Sequence, residues 1–277
     1  MSLSKFLLPR VKIVLALVWL IFDITIWSLP MQGESNPLFG SLKNIDPLIF
    51  NEAEWEKDDG PPGRREDPGR RGGDENICER PSANGASNEI EELPLIVIAP
   101  PSVRGLTVEE RPTLWFYIPF EFTEKLSAEF SLSLWEDKKE GRRIHEQMIS
   151  LTGTPGIVSV SLPPTVEPLE EGKEYRFVFT IVCNPNSRVE DVFVNGFVRR
   201  TTLDPSLQSQ LAAATPLERT ALYAQAGIWH ETLTSLADYL RRTNDPSAAS
   251  LLTALLESVG LSDISRKSVI DCCTPPN

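Results

Sequence analysis

The stretch that decides the fold is residues 104–120, RGLTVEERPTLWFYIPF. Within it, residues 113–118 are all aromatic, β-branched or leucine, and none of them is charged. Such side chains favour a pleated strand. Pro112 precedes this run and Pro119 ends it. Proline is typical of strand ends because it cannot donate a hydrogen bond within a sheet. The residues before Pro112 are predicted to form a turn-rich lead-in to the strand.

This strand is predicted to have two apolar faces. Side chains alternate along a strand, so Trp115 and Tyr117 share one face. Leu114, Phe116 and Ile118 then share the other face. A strand that is apolar on both faces is expected to be covered on both sides. A core strand explains the pattern, and the alternative is an aromatic platform for a ligand.

Further short runs with the same character recur on either side of this strand, separated by turn residues. The predicted strands are residues 95–98, 113–118, 128–135, 142–151, 156–162, 175–183 and 191–199. Residues 137–141 are predicted to form a charged hairpin tip. Short strands with frequent turns predict an antiparallel β-sandwich of the immunoglobulin or fibronectin type over residues 94–203.

The segment LEEGKEY, residues 169–175, favours this sandwich class. It resembles the tyrosine corner, in which a tyrosine hydroxyl bonds to the backbone just upstream of its own strand. We therefore expect the hydroxyl of Tyr175 to bond the preceding turn.

The apolar period changes from two to nearly four after Thr202, which predicts an α-helical module over residues 204–273. Asp204 and Thr215 each precede a proline, as a helix N-cap does, and Glu218 completes a capping box with Thr215. Helices are predicted over residues 216–226, 228–242 and 246–259. The fold class is therefore α+β, a sandwich followed by helices.

The first two of these helices, joined at Gly227, resemble one tetratricopeptide-type helical hairpin. A helical unit this small must pack against the sandwich or against a partner to be stable. Trp229 and Leu233 are predicted to face the sandwich or the neighbouring helix. Tyr223 and Tyr239 are hypothesised to line a groove for a partner segment, and the alternative is that they pack internally.

The amino-terminal residues 1–30 carry the pattern of an export signal. Lys5, Arg10 and Lys12 accompany the apolar run of residues 13–22, which is short for a membrane span. The segment is predicted to be a signal peptide or an uncleaved anchor that would tether the protein to a membrane. Either case predicts a periplasmic or extracellular protein.

Residues 31–93 are predicted to be a flexible linker, because they are charged, rich in Pro and Gly, and without sustained periodicity. Four arginines in it could contact anionic lipid or polysaccharide: Arg64, Arg65, Arg70 and Arg71. The interleaved Glu66 and Asp67 favour a solvated linker instead.

The four cysteines are Cys78, Cys183, Cys272 and Cys273. An even count in an exported chain predicts disulfides. Pairing Cys272 with Cys273 would close a strained ring, so the favoured pairings connect the tail to Cys78 and to Cys183. The tail would then hold the helices against the sandwich. The alternatives are a metal site that uses the tail cysteines with a histidine, or free thiols in a cytoplasmic protein.

Composition argues against several functional classes. The formal net charge is −12, so a nucleic-acid partner is not expected. His145 and His230 are the only histidines, and both are interpreted as surface or rim residues. The adjacent acidic residues at 109–110, 170–171 and 190–191 are interpreted as solvated turns. No motif predicts a catalytic site, a cofactor or a metal.

Several segments together resemble a cyanobacterial family catalogued only as a domain of unknown function. They are PPGRREDPGRRGGDENIC, RGLTVEERPTLWFYIPF, LTGTPGIVSVSLP, LEEGKEYRFVFTIVCNP, DVFVNGFVRR, PLERTALYAQAGIWHETLTSL and DCC, from about residue 60 to residue 273. The resemblance implies an exported protein of filamentous or related cyanobacteria and implies no reaction.

These patterns together predict an exported, non-enzymatic binding or scaffold protein of the cell envelope, whose partner is another envelope protein. The alternative is a hydrolase of envelope polymers or another extracytoplasmic enzyme. An enzyme should bring a nucleophile or a carboxylate pair together in a pocket with perturbed pKa values. A binding module should instead expose an apolar or aromatic patch.

Overall fold

The computed structural model describes residues 48–53, 63–67, 93–119, 127–151 and 154–272. These residues belong to one compact unit, Ser41–Asn277. The predicted export segment, residues 1–30, lies outside the described residues. Most of the predicted linker also lies outside them.

The described residues form strands first and helices last. The strands are β1 (Glu66–Asp67), β2 (Leu95–Val97), β3 (Arg104–Thr107), β4 (Thr113–Ile118), β5 (Ser127–Glu136), β6 (Lys139–Ser150), β7 (Gly156–Ser161), β8 (Glu174–Val182) and β9 (Val192–Arg200). The α-helices are α1 (Pro205–Ala213), α2 (Pro216–Gln225), α3 (Trp229–Thr243) and α4 (Pro246–Ser258). This order confirms the α+β class.

The strands form two sheets. One has the order β1-β2-β4-β7, and the other has the order β3-β9-β8-β5-β6. Among the described strands, each pairing is antiparallel except that of β3 with β9, which is parallel. The sheets share one apolar core, in which the ring of Phe116 stacks on that of Phe179 with centroids 4.3 Å apart.

Strand β4 is covered on both faces, as its sequence predicts. Leu114, Phe116 and Ile118 point into the core between the two sheets. Trp115 and Tyr117 point into a second core, between the four-stranded sheet and the helices. The fold therefore has three layers, with the four-stranded sheet in the middle.

The lead-in before β4 differs from the prediction. Residues 104–107 form strand β3 rather than a turn, and they extend the five-stranded sheet in parallel with β9. Local sequence favoured a turn because Gly105 weakens a strand. Buried contacts of Arg104 and Thr107 with residues far along the chain stabilise the strand instead.

The hairpin between β5 and β6 is tighter than predicted. Glu136 pairs with Lys139, so only Asp137 and Lys138 form the tip rather than all of residues 137–141. Both tip residues have positive φ, of 51° and 59°. Two positive φ values are typical of the tight turn whose twist matches that of the flanking strands.

The helices begin where their caps predict. Asp204 accepts a hydrogen bond from the backbone of Ser206 at the start of α1, and Thr215 and Glu218 form the capping box of α2. Gly227 joins α2 to α3 with a φ of +71°. A Cβ there would lie 2.8 Å from the carbonyl oxygen of Asn51, so the turn requires glycine.

The helical module packs against the sandwich. Trp229 is buried and its Nε1 donates to the carbonyl of Ile98, 3.0 Å away. From the sheet side, Trp115 Nε1 donates to Thr234 Oγ1, also at 3.0 Å. These two bonds tie α3 to the four-stranded sheet, and Leu233 is buried beside them, which confirms the predicted orientation of Trp229 and Leu233.

Two segments within residues 31–93 are not a free linker. Residues 48–53 contribute Leu48 and Phe50 to the second core, and Phe50 packs edge-on against Trp229. Residues 63–67 pair with β2 and β9. Apolar burial and sheet pairing hold these short segments in place although the surrounding composition predicts a linker.

Two arginines of the predicted linker contact other parts of the fold. Arg65 Nη2 donates to the carbonyls of Ala99 and Val259, at 2.7 and 2.8 Å. Arg64 stacks over the ring of Phe193 at 4.6 Å. These contacts differ from the proposed contact with lipid or polysaccharide. Arg70 and Arg71 lie outside the described residues.

Candidate functional site

A pocket of about 460 Å³ opens where the ends of β3 and β9 meet the turn before β8. This volume lies in the range of small-molecule sites. Its lining residues are Ala53, Leu106, Glu171, Gly172, Arg199, Arg200, Thr201 and Thr202. They come from separate stretches of the chain, so only the folded protein has this pocket.

Backbone hydrogen bonds hold the pocket walls. The amide of Thr201 donates to the carbonyl of Thr107 at 2.8 Å, and the amide of Gly172 donates to that of Arg200 at 2.7 Å. Gly172 has a φ of +76°, which glycine adopts without steric penalty. A Cβ on Gly172 would meet no other described atom within 4 Å, so the pocket is open at this turn.

Arg200 is fixed in position without a close carboxylate. Its side chain is 18 % exposed, and its Nη1 donates to the carbonyl of Leu169 at 2.7 Å. Its Nη2 lies 3.6 Å from Glu110 and 3.8 Å from Glu171, and both carboxylates are more than half exposed. Exposed pairs this long are weak. The Nε of Arg200 is buried and has no hydrogen-bond partner among the described residues.

The second arginine of the pocket, Arg199, belongs to a charged cluster on the outer face of the five-stranded sheet. Glu174 is buried and lies between two guanidiniums, 2.5 Å from Arg104 Nη1 and 3.6 Å from Arg199 Nη2. Arg104 also stacks over the ring of Phe197 at 4.4 Å. Glu174 therefore holds both guanidiniums beside the pocket.

Two titratable residues are buried at the start of α3. Burial lowers the pKa of His230 to about 4, so its ring is neutral at pH 7. Burial raises the pKa of Glu231 to about 7. The assignment of His230 to the surface or rim is therefore wrong: its ring is 3 % exposed and packs against Gly105. His145 is half-buried at a strand, as expected of a rim residue.

Thr107 connects this buried pair to the pocket. Its hydroxyl donates to Glu231 Oε1 at 2.5 Å, and it accepts a hydrogen bond from the amide of Glu109. Its carbonyl accepts the bond from Thr201 in the pocket wall. Neither His230 nor Glu231 lines the pocket described above. The pocket therefore offers guanidiniums, hydroxyls and a carboxylate for binding, while the groups with the most perturbed pKa values face the interior.

The two tyrosines of the hypothesised groove lie far apart on the helix pair. Thr220 in α2 and Ser235 in α3 share a hydrogen bond of 2.8 Å, which sets the antiparallel alignment of these helices. In this alignment Tyr223 lies near the Gly227 turn and Tyr239 near the opposite end. They are about 10 Å apart along the helix axis at the usual rise per residue. Both are half-buried, and the Tyr239 hydroxyl donates to Asp245 at 3.4 Å.

The predicted tyrosine-corner hydrogen bond is present. The hydroxyl of Tyr175 accepts a bond from the amide of Glu170 at 2.9 Å, and burial raises the pKa of this tyrosine. The bond fixes the turn that carries Glu171 and Gly172, so it also positions one wall of the pocket.

Two of the four cysteines lie among the described residues, and neither Cys183 nor Cys272 is a free thiol. Cys183 lies in the core between the two sheets, and Cys272 packs against the same core. Cys78 and Cys273 lie outside the described residues.

Within the described parts of the chain, no group of three or more His, Cys, Asp or Glu side chains is placed to hold a metal ion. Among the same residues, no helix has the length and apolar character needed to span a bilayer.

Sequence reasoning missed the pocket. The signal available was the run Arg199-Arg200-Thr201-Thr202 at the end of a strand, where side chains are often free to bind. Leu106, Gly172 and Ala53 could not be linked to this run from sequence, because sequence gives no indication that their segments meet.

The profile of the family described as Domain of Unknown Function (DUF928) matches residues 69–269, most of the chain. The chain belongs to this family. The match spans the strands that build the pocket and the helices that cover the sheet, and it omits Ala53. No curated protein and no solved structure matches the chain.

Proposed function

We propose that this member of the DUF928 family is an exported, non-enzymatic binding or scaffold protein of the cell envelope. The helices and the sandwich form the scaffold, and the pocket at the ends of β3 and β9 is its recognition site. The amino-terminal segment directs export and, where it is not cleaved, tethers the protein to the membrane.

The arrangement of charge around the pocket is the observation that carries this proposal. Arg200 is held by the carbonyl of Leu169 and has only long contacts with exposed carboxylates. The groups suited to proton transfer, His230 and Glu231, are buried away from the lining. A charged pocket whose described lining contains no histidine or cysteine favours binding over catalysis.

Two features support export. The basic residues and apolar run within residues 1–30 are typical of a secretory signal. Cys183 and Cys272 are not free thiols, and disulfides persist mainly in proteins outside the cytoplasm.

We further propose that disulfides from the tail hold the helices and the linker end against the sandwich. Cys183 and Cys272 both pack at the core between the sheets, which favours a link between the tail and Cys183. Closing loops this long would stabilise the fold by roughly 4 kcal/mol each in the chain-entropy model. Peptide mapping of the exported protein without reduction should find Cys183 in a disulfide, and a free thiol there would contradict the link.

Export and binding are tested separately. Residues 1–35 are fused to a reporter that is active only outside the cytoplasm, and reporter activity is expected. The full chain, tagged at its carboxyl end, is then used to capture components of envelope extract. The variant Arg200→Lys should lose a captured component that the matched surface variant Arg242→Lys retains. Reporter silence, or equal capture by both variants, would contradict the proposal.

A further inference from the structure

We infer that the surface beneath residues 48–53 is a recognition site for an extended peptide of a partner protein, and that residues 48–53 are a resident occupant which this peptide displaces. The acceptor surface is formed by Ala224, Gln225, Gly227 and Trp229. The peptide follows the pattern of residues 48–51: an apolar residue, a spacer, an aromatic residue and asparagine. The inference goes beyond the proposed function, since it assigns a second recognition surface apart from the pocket.

The resident segment alternates between buried and exposed side chains. Leu48 is 4 % exposed, Ile49 is 58 % exposed and Phe50 is 8 % exposed. Successive side chains on opposite sides are typical of an extended chain. Leu48 and Phe50 enter the second core, and the Phe50 ring packs edge-on against that of Trp229, with centroids 4.9 Å apart. Two anchoring side chains separated by an outward-facing spacer are typical of an extended peptide added to a folded domain.

The carboxyl end of α2 recognises Asn51. The backbone amide of Asn51 donates to the carbonyl of Ala224 at 3.1 Å, and its side-chain Nδ2 donates to the carbonyl of Gln225 at 3.3 Å. Carbonyls in the last turn of a helix lack partners in the regular helical pattern, so they favour donors from outside it. Asparagine supplies two such donors, which explains the amide in the recognised pattern.

The turn between α2 and α3 admits the backbone of the segment because position 227 has no side chain. A Cβ on Gly227 would lie 2.8 Å from the carbonyl oxygen of Asn51 and 3.3 Å from the amide nitrogen of Ala53. The acceptor surface therefore fits a main chain that crosses the turn as well as the side chains of this segment.

The occupant and the acceptor surface belong to separate parts of the chain. The family match starts at residue 69, so it includes all four acceptor residues and omits residues 48–53. Residues 54–62, EWEKDDGPP, have the composition of a linker. Residues 48–53 belong to none of the described helices and strands, so the segment can leave without unpairing one. A tethered occupant competes with a free peptide at an effective concentration of about a millimolar.

The test is fluorescence anisotropy of a labelled peptide with the sequence of residues 47–54, PLIFNEAE, added to the full chain. Phe50→Ala in the chain weakens the resident segment. We expect this variant to bind the peptide at least about tenfold more tightly than the unchanged chain, because the competitor has lost a buried aromatic contact. Ile49→Ala is the matched control and should bind as the unchanged chain does, since Ile49 faces away from the acceptor surface.

The peptide carries the same comparison. Alanine at its phenylalanine position should weaken binding to the Phe50→Ala chain at least about tenfold, whereas alanine at its isoleucine position should change binding less than about twofold. Photo-leucine at the position that corresponds to Leu48 assigns the site, and it should crosslink to residues of the second core.

Four results would overturn the inference. They are absence of peptide binding to Phe50→Ala, equal binding by this variant and the unchanged chain, equal binding of the two substituted peptides, and crosslinks outside the second core. Leu48→Ala provides a second opened variant, which is used if Phe50→Ala does not fold. If neither variant folds, the segment is an integral part of the core rather than an exchangeable occupant, and the inference is wrong.

Discussion

Gly105 lies directly against the imidazole of His230. A Cβ added to Gly105 would come 2.5 Å from His230 Nε2 and 3.0 Å from Cδ2. Gly105 lies in the edge strand β3, and His230 lies in the first turn of α3. Helix α3 can approach this strand because position 105 has no side chain.

Gly105→Ala should therefore lower the free energy of unfolding by about 1–3 kcal/mol through overpacking. Urea denaturation measures the change. The matched test is a double-mutant cycle with His230→Ala, which removes the ring that the new methyl group would contact. The alanine at position 105 should cost much less in the His230→Ala background. An equal cost in both backgrounds would show that the ring is not what excludes a side chain there.

The buried pair makes opposite contributions to pH dependence. The pKa of His230 falls from 6.5 to about 4, so its contribution to stability is present above pH 6.5 and is lost as the pH falls through 4. The pKa of Glu231 rises from 4.5 to about 7, so its contribution is present below pH 4.5 and is lost as the pH rises through 7. Between these limits the two slopes oppose each other, each up to about 1.4 kcal/mol per pH unit.

Removing one member should expose the slope of the other. His230→Gln keeps only the Glu231 contribution of the pair, so its free energy of unfolding should rise as the pH falls from 7 to 4.5, the window between the folded and unfolded pKa values of Glu231. Glu231→Gln should become less stable as the pH falls from 6.5 to 4. Urea unfolding at a series of pH values measures both differences. Slopes of the same sign would contradict the assignment of charge to this pair.

Arg65 should be important for stability although it lies in a charged, Gly- and Pro-rich segment. Its Nη2 donates to the carbonyls of Ala99 and Val259, and burial lowers its pKa. Arg65→Ala would leave both carbonyls without this donor and should cost about 1–3 kcal/mol. Arg266→Ala, at an exposed position, is the control and should change stability by less than about 0.5 kcal/mol. Equal losses of stability for the two variants in chemical denaturation would show that the hydrogen bonds of Arg65 do not stabilise the fold.

Arg241 should hold the tail on the sandwich. Its guanidinium stacks over Trp115 at 4.9 Å, and its Nη2 donates to Ser159 Oγ and to the carbonyl of Ile270. The tail itself pairs with β7, since the amide of Ile270 donates to Ile157 at 2.9 Å. Arg241→Ala should speed amide hydrogen exchange at Ile270, because local opening becomes easier.

The neighbouring arginine is the matched control for this experiment. Arg242 is exposed, so Arg242→Ala should leave exchange at Ile270 unchanged. Asp271 lies 3.5 Å from Arg241 but is 95 % exposed, so Asp271→Asn should have little effect. Faster exchange in all three variants would point to general charge effects rather than to the Arg241 contacts.

The sequence by itself determined the features that depend on near neighbours in the chain. The alternation in β4 predicted that Leu114 and Trp115 would enter different apolar layers, and both are buried. The caps at Asp204 and Thr215 predicted where α1 and α2 begin. The Tyr175 bond to Glu170 spans only five residues. These features follow from backbone geometry and from residues a few positions apart.

Only the tertiary structure decided the features that join distant segments. Thr107 bonds Glu231 across 124 residues, and Arg104 bonds Glu174 across 70. Such contacts convert a turn-like segment into strand β3 and an expected surface histidine into a buried one. They also bring Leu106 to Arg199 and Gly172 in one pocket. Local propensity cannot predict them, because the free energy that stabilises them comes from burial and hydrogen bonds between segments whose meeting depends on the whole fold.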